Sequence, residues 1–286
     1  MATGRRQKSV QCCSSAGLHR MVYDEWGAAD NPDVLLCVHG LTRCGRDFDY
    51  LATALADRYR IICPDVVGRG RSDWLPDKSL YGMTQYVADM MTLIARLDVA
   101  QVDWLGTSMG GLIGMLLAAQ PQTPIRRLIL NDVGPLITAV SLKRIGEYVG
   151  RDPRFATMDE AVAFVRQVSA TFGPHSEAQW WKLTEDVVRV AADGSIEFRY
   201  DPGIAETFRQ SAGGGEDVSL WPFYDQIHCP TLVLRGAESD LLRQDTAQEM
   251  SQRGPRARII EIPGVGHAPM FQQDDQVLLV REWLQA

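Results

Sequence analysis

The amino-acid sequence predicts an α/β fold, in which an open and largely parallel sheet is covered by helices. Short continuous runs of Val, Ile and Leu are typical of strands buried on both faces. Apolar residues repeat at helical spacing between these runs, and one run leads directly into a glycine-rich turn. The predicted strands are 34–38, 61–63, 102–105, 128–130, 232–234 and 259–262, and the predicted helices include 48–55, 86–97 and 277–284. Functional loops are expected at the carboxyl ends of the strands.

The beginning of the chain does not share this pattern. Residues 1–13 carry Arg5, Arg6 and Lys8, and no apolar run follows them. We therefore expect a disordered tail and no secretory signal. Residues 18–26 favour a hairpin at the edge of the sheet.

Length and patterning favour one catalytic domain with an insertion. The chain has 286 residues, of which 45% are hydrophobic, and this is enough for a large core. The alternation of strands and helices stops after residue 130 and resumes at 231, so we predict a mostly helical cap at 135–221 between core segments 14–134 and 222–286. Trp180 and Trp181 of this cap are candidate substrate-binding residues, although such aromatic residues also pack a small core of their own.

Charge and cysteine spacing exclude several classes of partner. The net charge of −7 provides no basic surface for nucleic acid or an anionic membrane. No apolar run is long enough to span a bilayer, so we expect a soluble protein. The six cysteines include no Cys-x-x-Cys and no zinc-type spacing, which predicts reduced thiols, a cytoplasmic location and no metal. No Walker-type loop or complete dinucleotide fingerprint is present, so no cofactor is expected.

The most informative motif is Gly-Thr-Ser-Met-Gly at residues 106–110. It follows a predicted strand and precedes a helix of small residues that ends before Pro121. In such a turn, a serine projects its hydroxyl above the sheet edge, and the next backbone N–H is free to face a developing oxyanion. We therefore predict that Ser108 is a nucleophile for acyl transfer.

A serine needs a base and the base needs an orienting carboxylate. Of the five histidines, His267 follows the last predicted strand and lies in a loop on the same side as the serine turn. Asp240 follows strand 232–234 and is the predicted carboxylate. Glu238 in the same loop and Asp132 directly after strand 128–130 are the alternatives.

Two backbone amides are expected to bind the oxyanion. One belongs to Met109, the residue after the nucleophile. The other is predicted at Leu41, because Gly40 allows a sharp turn after strand 34–38 and His39. Arg43 lies two residues further on, where it either contacts an acidic substrate or anchors the loop through a salt bridge.

These motifs, taken in order, resemble the α/β-hydrolase family. The elements are His39-Gly40, Pro64-Asp65 with Gly68-Arg69-Gly70-Arg71-Ser72-Asp73, the Ser108 turn, Asp240 and Gly266-His267. The resemblance covers the chain outside the tail and the cap. It implies an eight-stranded, mostly parallel sheet and a mechanism that passes through an acyl-enzyme.

The sequence looks most like the capped bacterial carboxylesterases of that family, some of which act on polyester or hydroxyacid oligomers. We therefore expect hydrolysis of a small-molecule carboxylic ester with a serine nucleophile. A serine argues against the dehalogenase and epoxide-hydrolase branches, which use aspartate. Cleavage of a carbon–carbon bond or a lactone with the same three residues is an alternative, and a ligand-binding relative with little turnover is another.

Overall fold

A computed structural model of the protein describes residues 4–212 and 215–285. In this part of the chain the strands are β1 (Arg6–Ser14), β2 (Gly17–Trp26), β3 (Val34–Val38), β4 (Arg60–Pro64), β5 (Val102–Thr107), β6 (Ile125–Asn131), β7 (Leu136–Ile137), β8 (Val188–Val190), β9 (Ile196–Phe198), β10 (Val218–Ser219), β11 (Thr231–Gly236) and β12 (Arg258–Ile262). The helices are α1 (Asp49–Leu55), α2 (Met83–Leu97), α3 (Met109–Ala118), α4 (Ala139–Gly146), α5 (Met158–Val168), α6 (Glu177–Glu185), α7 (Ile204–Ala212), α8 (Trp221–Tyr224), α9 (Gln244–Met250) and α10 (Asp274–Gln285).

The main sheet has eight strands in the order β1-β2-β4-β3-β5-β6-β11-β12. The six strands from β4 to β12 in that order run parallel to one another, whereas β2 pairs antiparallel with both β4 and β1. The predicted fold class is therefore confirmed. Because the central strands run the same way, their carboxyl ends lie at one edge of the sheet, where the loops meet.

The tail predicted at residues 1–13 is wrong for residues 6–13, which belong to β1. Residues 1–3 lie outside the described part of the chain. Strand β1 pairs with β2 from Arg6 opposite Glu25 to Ser14 opposite Gly17. Residues 18–26 are therefore a single strand and not the whole hairpin expected there, because the other strand of the edge hairpin is β1. Val10 and Cys12 are buried in the core, whereas the residues on either side of them, Ser9, Gln11 and Cys13, are exposed. This alternation stabilises an edge strand even though the segment is polar overall.

Helices cover both faces of the sheet. On one face, α2 and α3 pack on β3 and β5 through residues such as Leu93 and Ile113. On the other face, α1 and α10 pack through residues such as Leu51 and Val280. Alternate residues of one strand enter the two layers, as Leu36 and Cys37 of β3 do. This pattern explains the continuous apolar runs in the sequence.

The chain between β6 and β11 lies outside the eight-stranded sheet. Its two ends meet in the antiparallel pair of β7 and β10, with Ile137 opposite Val218. The segment between them contains α4 to α7 and the hairpin of β8 and β9. Phe155, Phe164 and Phe198 form an aromatic cluster within it. Among the helices of the described residues, none has the length and apolar character that a bilayer span requires.

Candidate active site

The nucleophile turn has the backbone geometry that the motif predicts. Ser108 lies between β5 and α3 with a φ of 51° and a ψ of −116°, a conformation that is unfavourable for a residue with a side chain. A Cβ on Gly106 would lie 2.2 Å from the carbonyl oxygen of Gly110, and one on Gly110 would lie 2.0 Å from that of Val38. Both glycines are therefore required for β5, α3 and β3 to approach so closely.

A hydrogen-bonded series joins Ser108, His267 and Asp132. The Ser108 Oγ lies 3.1 Å from Nε2 of His267, and Nδ1 of His267 lies 2.7 Å from Oδ2 of Asp132. Asp132 is fully buried, and its carboxylate also accepts the N–H of Gly236 at 2.9 Å and the hydroxyl of Ser239 at 2.6 Å. Because a carboxylate only accepts, Nδ1 of His267 carries the proton and Nε2 faces the serine hydroxyl.

The prediction of Asp240 as the carboxylate beside His267 is wrong. Asp240 is exposed, and its carboxylate receives a hydrogen bond of 3.1 Å from Arg144. Glu238 is exposed as well. The required carboxylate is Asp132, the alternative at the end of β6, which lies between β5 and β11 in the sheet. Its φ of 52° is unusual for a residue other than glycine.

The two residues predicted to provide the oxyanion amides, Leu41 and Met109, line the same cavity as Ser108. Met109 is the first residue of α3, so its N–H has no partner within the helix. Gly40 brings the loop after β3 close to the serine, because a Cβ on it would be 3.7 Å from that of Ser108. Leu41 and Met109 both line the cavity above Ser108. Within residues 4–212 and 215–285, no hydrogen bond from either amide is observed.

Arg69 is a buried residue of this site that sequence reasoning missed. Its guanidinium is fully buried and donates hydrogen bonds of 2.8 Å to the carbonyl of Leu41 and 2.9 Å to the hydroxyl of Tyr86. A third N–H lies 3.5 Å from the sulfur of Met109. One side chain therefore contacts both residues that are predicted to provide the oxyanion amides. The signal available in the sequence was the position of Arg69 between Gly68 and Gly70, in the loop that follows β4.

A cavity of about 360 Å³ lies above Ser108 and His267. Its walls are mostly apolar and come from the loops of the sheet and from α4, α5 and α7. Trp180 and Trp181, the predicted substrate-binding residues, do not line this cavity, so the structure corrects that prediction. Trp180 is buried with Leu183 and Met270, and Trp181 is 44% exposed.

Arg43 does line the cavity and is held by a salt bridge. Its Nε and Nη2 atoms donate to the carboxylate of Asp47 at 3.0 Å and 2.5 Å. Both side chains are largely buried. This arrangement matches the loop-anchoring alternative, and it leaves Arg43 paired with a carboxylate before any substrate binds.

One group of possible metal ligands occurs in the described residues, away from Ser108. Cys12, His19 and Asp89 are buried between the β1–β2 hairpin and α2, with their ligand atoms within 4.8 Å of one another. Nε2 of His19 lies 2.9 Å from Asp89, which also accepts a hydrogen bond of 2.7 Å from Gln85. These contacts tie the edge hairpin to α2.

His39 is expected to make stability depend on pH. It is fully buried, with Nδ1 2.7 Å from the carbonyl of Gly40 and Nε2 accepting the N–H of Val66 at 2.9 Å. Burial lowers the pKa of His39 to about 4. Between pH 6.5 and 4 the unfolded chain therefore binds a proton that the folded chain does not, and stability falls by about 3 kcal/mol as pH decreases through this range.

Urea unfolding at pH 7 and pH 4.5 measures this contribution. The variant His39→Gln is expected to be less stable at pH 7 but to lose less free energy of unfolding between the two pH values than the wild-type protein loses. Equal losses in both proteins would show that His39 does not cause the dependence.

Comparison with known proteins agrees with this geometry. The model of the alpha/beta hydrolase family matches residues 35–278. The chain is 49% identical to a 3-hydroxybutyrate-oligomer hydrolase of Cupriavidus necator, over 99% of each chain. Two solved structures are similar over almost their whole length. A putative hydrolase from Rickettsia typhi has 32% identity and a TM-score of 0.90, with 99% of each chain covered. An alpha/beta hydrolase from Novosphingobium aromaticivorans has 35% identity and a TM-score of 0.87, with 100% of this chain and 99% of that one covered.

The chain belongs to the α/β-hydrolase family. Its activity is that of a carboxylic-ester hydrolase, as the family and the 49% identical relative indicate together.

Proposed function

We propose that this hydrolase cleaves ester bonds of short hydroxyacid oligomers, of the 3-hydroxybutyrate type, through an acyl-enzyme on Ser108. The observation that carries the proposal is the hydrogen-bonded series of Ser108, His267 and Asp132 at the floor of an apolar cavity. The 49% identity to a 3-hydroxybutyrate-oligomer hydrolase, over nearly the whole of both chains, supports this substrate class.

In the first step, Nε2 of His267 accepts the proton of the Ser108 hydroxyl while Oγ attacks the ester carbonyl. Asp132 holds the imidazole with its proton on Nδ1 and stabilises the imidazolium that forms, over the contact of 2.7 Å. The tetrahedral oxyanion accepts hydrogen bonds from the amides of Leu41 and Met109. The ester C–O bond then breaks, and the imidazolium gives its proton to the leaving alkoxide.

In the second step, water replaces the released alcohol. His267 removes a proton from this water as its oxygen attacks the acyl carbonyl, and the same two amides bind the second oxyanion. Collapse of this intermediate breaks the bond to Oγ, and the proton returns to Ser108. The products are two shorter hydroxyacids, and the enzyme is restored.

We also propose that residues 135–221 act as a cap over the core segments 14–134 and 222–286. Several of the apolar walls of the cavity belong to this segment, among them Ile137, Leu142 and Phe208. Apolar walls suit the methyl and methylene groups of a hydroxybutyrate unit. They also shield the oxyanion contacts from water, which strengthens them.

We propose that the protein is located in the cytoplasm. Cys37 and Cys63 lie on the neighbouring strands β3 and β4, and both are free and buried. Adjacent free thiols are typical of proteins from a reducing compartment.

Hydrolysis of purified 3-hydroxybutyrate dimer and trimer tests the proposed substrate. We expect the wild-type enzyme to release monomer, measured by acid production in a pH-stat and by chromatography. A p-nitrophenyl ester serves as the control for general esterase activity. Hydrolysis of the p-nitrophenyl ester without cleavage of either oligomer would contradict the proposed substrate class but not ester hydrolysis.

Arg69 is expected to act as a positioning residue for the oxyanion amides. Arg69→Lys keeps a positive charge but loses the planar fork that contacts Leu41 and Met109. We expect kcat to fall on the order of tenfold to a hundredfold with little change in KM, because a shift of about 1 Å in a catalytic group has effects of this size. Steady-state kinetics with a p-nitrophenyl ester measures both constants.

Arg60→Lys is the matched control for this variant. Arg60 is also buried, but it donates to the carbonyl of Leu97 and to Glu25, away from the serine. It should lower the melting temperature without lowering kcat. If both variants lose stability and neither loses kcat, Arg69 has only a structural role.

A further inference from the structure

The cavity above Ser108 is positively charged, although the chain as a whole carries a net charge of −7. Among the described residues that line it, the arginines are Arg43, Arg144 and Arg151, and the one carboxylate is Asp47. The Asp47 carboxylate is occupied by Arg43 through a nearly buried ion pair. Two arginines therefore face the cavity without a carboxylate inside it.

These two arginines differ in their partners. Arg144, on α4, donates to the exposed carboxylate of Asp240 outside the cavity lining. The side chain of Arg151 forms no ion pair or hydrogen bond with any residue in 4–212 or 215–285. Arg151 is thus the cation at the cavity whose hydrogen-bond donors are available to a ligand.

The backbone that carries Arg151 is fixed. The hydroxyl of Tyr200 donates a hydrogen bond of 2.9 Å to the carbonyl of Arg151. The preceding residue, Gly150, has a φ of 80°, and a Cβ on it would lie 2.3 Å from the Cβ of Ala205 on α7. The backbone of Arg151 therefore has a defined position beside the cavity, and only the side chain is free to move.

We propose that Arg151 binds the free carboxylate of the substrate oligomer, on the leaving-alcohol side of the ester that is cleaved. This inference rests on the proposed function. In a hydroxyacid oligomer, the chain on the acyl side of any ester bond ends in a hydroxyl, and the chain on the alkoxy side ends in the carboxylate. A cation at the cavity therefore binds the part of the substrate that leaves as the alcohol, because that part carries the carboxylate. A planar guanidinium suits a carboxylate through two parallel hydrogen bonds.

The test compares the free acid of the 3-hydroxybutyrate dimer with its methyl ester, which has no charge. For Arg151→Gln we expect KM for the free acid to rise roughly fivefold to twentyfold, the range of a partly exposed charge-assisted hydrogen bond, with kcat little changed. KM for the methyl ester should be the same in the variant and the wild type. Because the Arg151 side chain is exposed, the melting temperature should not change.

Arg154→Gln is the matched control, since it removes the same charge three residues away. Arg154 is ion-paired with Glu197 and does not line the cavity, so its KM values should equal those of the wild type. The proposal is overturned if Arg151→Gln leaves KM for the free acid unchanged, or if both arginine variants raise it equally. An equal rise for acid and methyl ester overturns it as well. If the wild-type enzyme cleaves neither dimer, the proposed function fails and this inference fails with it.

Discussion

Ser108→Ala is expected to abolish ester hydrolysis, with kcat lower by on the order of 10⁶. Alanine has no oxygen to attack the carbonyl, so no acyl-enzyme forms. Alanine also accepts the φ of 51° about as poorly as serine does, and Ser108 Oγ contributes only the hydrogen bond to His267. The melting temperature should therefore remain close to that of the wild type. Kinetics with a p-nitrophenyl ester measure the loss of hydrolysis, and treatment with a fluorophosphonate measures the loss of covalent labelling.

The control is Ser251→Ala, which removes a serine hydroxyl at the end of α9, outside the cavity lining. It should keep full activity and full labelling. Labelling that persists in Ser108→Ala, together with substantial residual turnover, would mean that another residue is the nucleophile.

Asp132→Asn is expected to lower kcat by about 10⁴, the effect of losing the correct imidazole tautomer. The Asp132 carboxylate accepts three hydrogen bonds, from His267, Gly236 and Ser239. An amide has one oxygen and a donating NH₂ group, so it cannot accept all three. Where the NH₂ group faces His267, the proton is displaced to Nε2, and Nε2 then cannot accept from Ser108. KM for a p-nitrophenyl ester should change much less than kcat.

Asp240→Asn distinguishes Asp132 from Asp240 as the carboxylate that acts on His267. Asp240 is exposed and bonded to Arg144, so kcat for a p-nitrophenyl ester should equal that of the wild type within error. Wild-type kcat in Asp132→Asn combined with a large loss in Asp240→Asn would contradict the geometry of the site.

The core of the fold and two of the three central residues of the site could be predicted from the sequence. Continuous apolar runs identify buried parallel strands because both faces of such strands are covered. The turn around Ser108 can be recognised in the sequence because local sterics require its glycines. A Cβ on Gly106 would overlap the carbonyl of Gly110. His267 is visible because its loop follows a recognisable strand.

The carboxylate could not be decided in this way. Asp132 and Asp240 each follow a strand whose carboxyl end lies at the same edge of the sheet, so their sequence contexts are equivalent. Asp132 and Asp240 differ in the place of their strands in the sheet and in the direction of the Asp132 side chain. The backbone at Asp132 turns with a φ of 52°, and hydrogen bonds from Gly236 and Ser239 hold the carboxylate toward His267.

The tertiary structure also decided that residues 6–14 form the edge strand β1 and where the aromatic residues of the cap pack. A polar segment such as 6–14 becomes a strand when a partner strand and α2 cover its alternate residues. Trp180 packs with Leu183 and Met270 and does not itself line the cavity. The sequence by itself determined the elements and the chemistry that rest on local sterics and periodicity. Only the tertiary structure decided which distant side chains meet, because those contacts depend on strand order and side-chain direction, which no local pattern encodes.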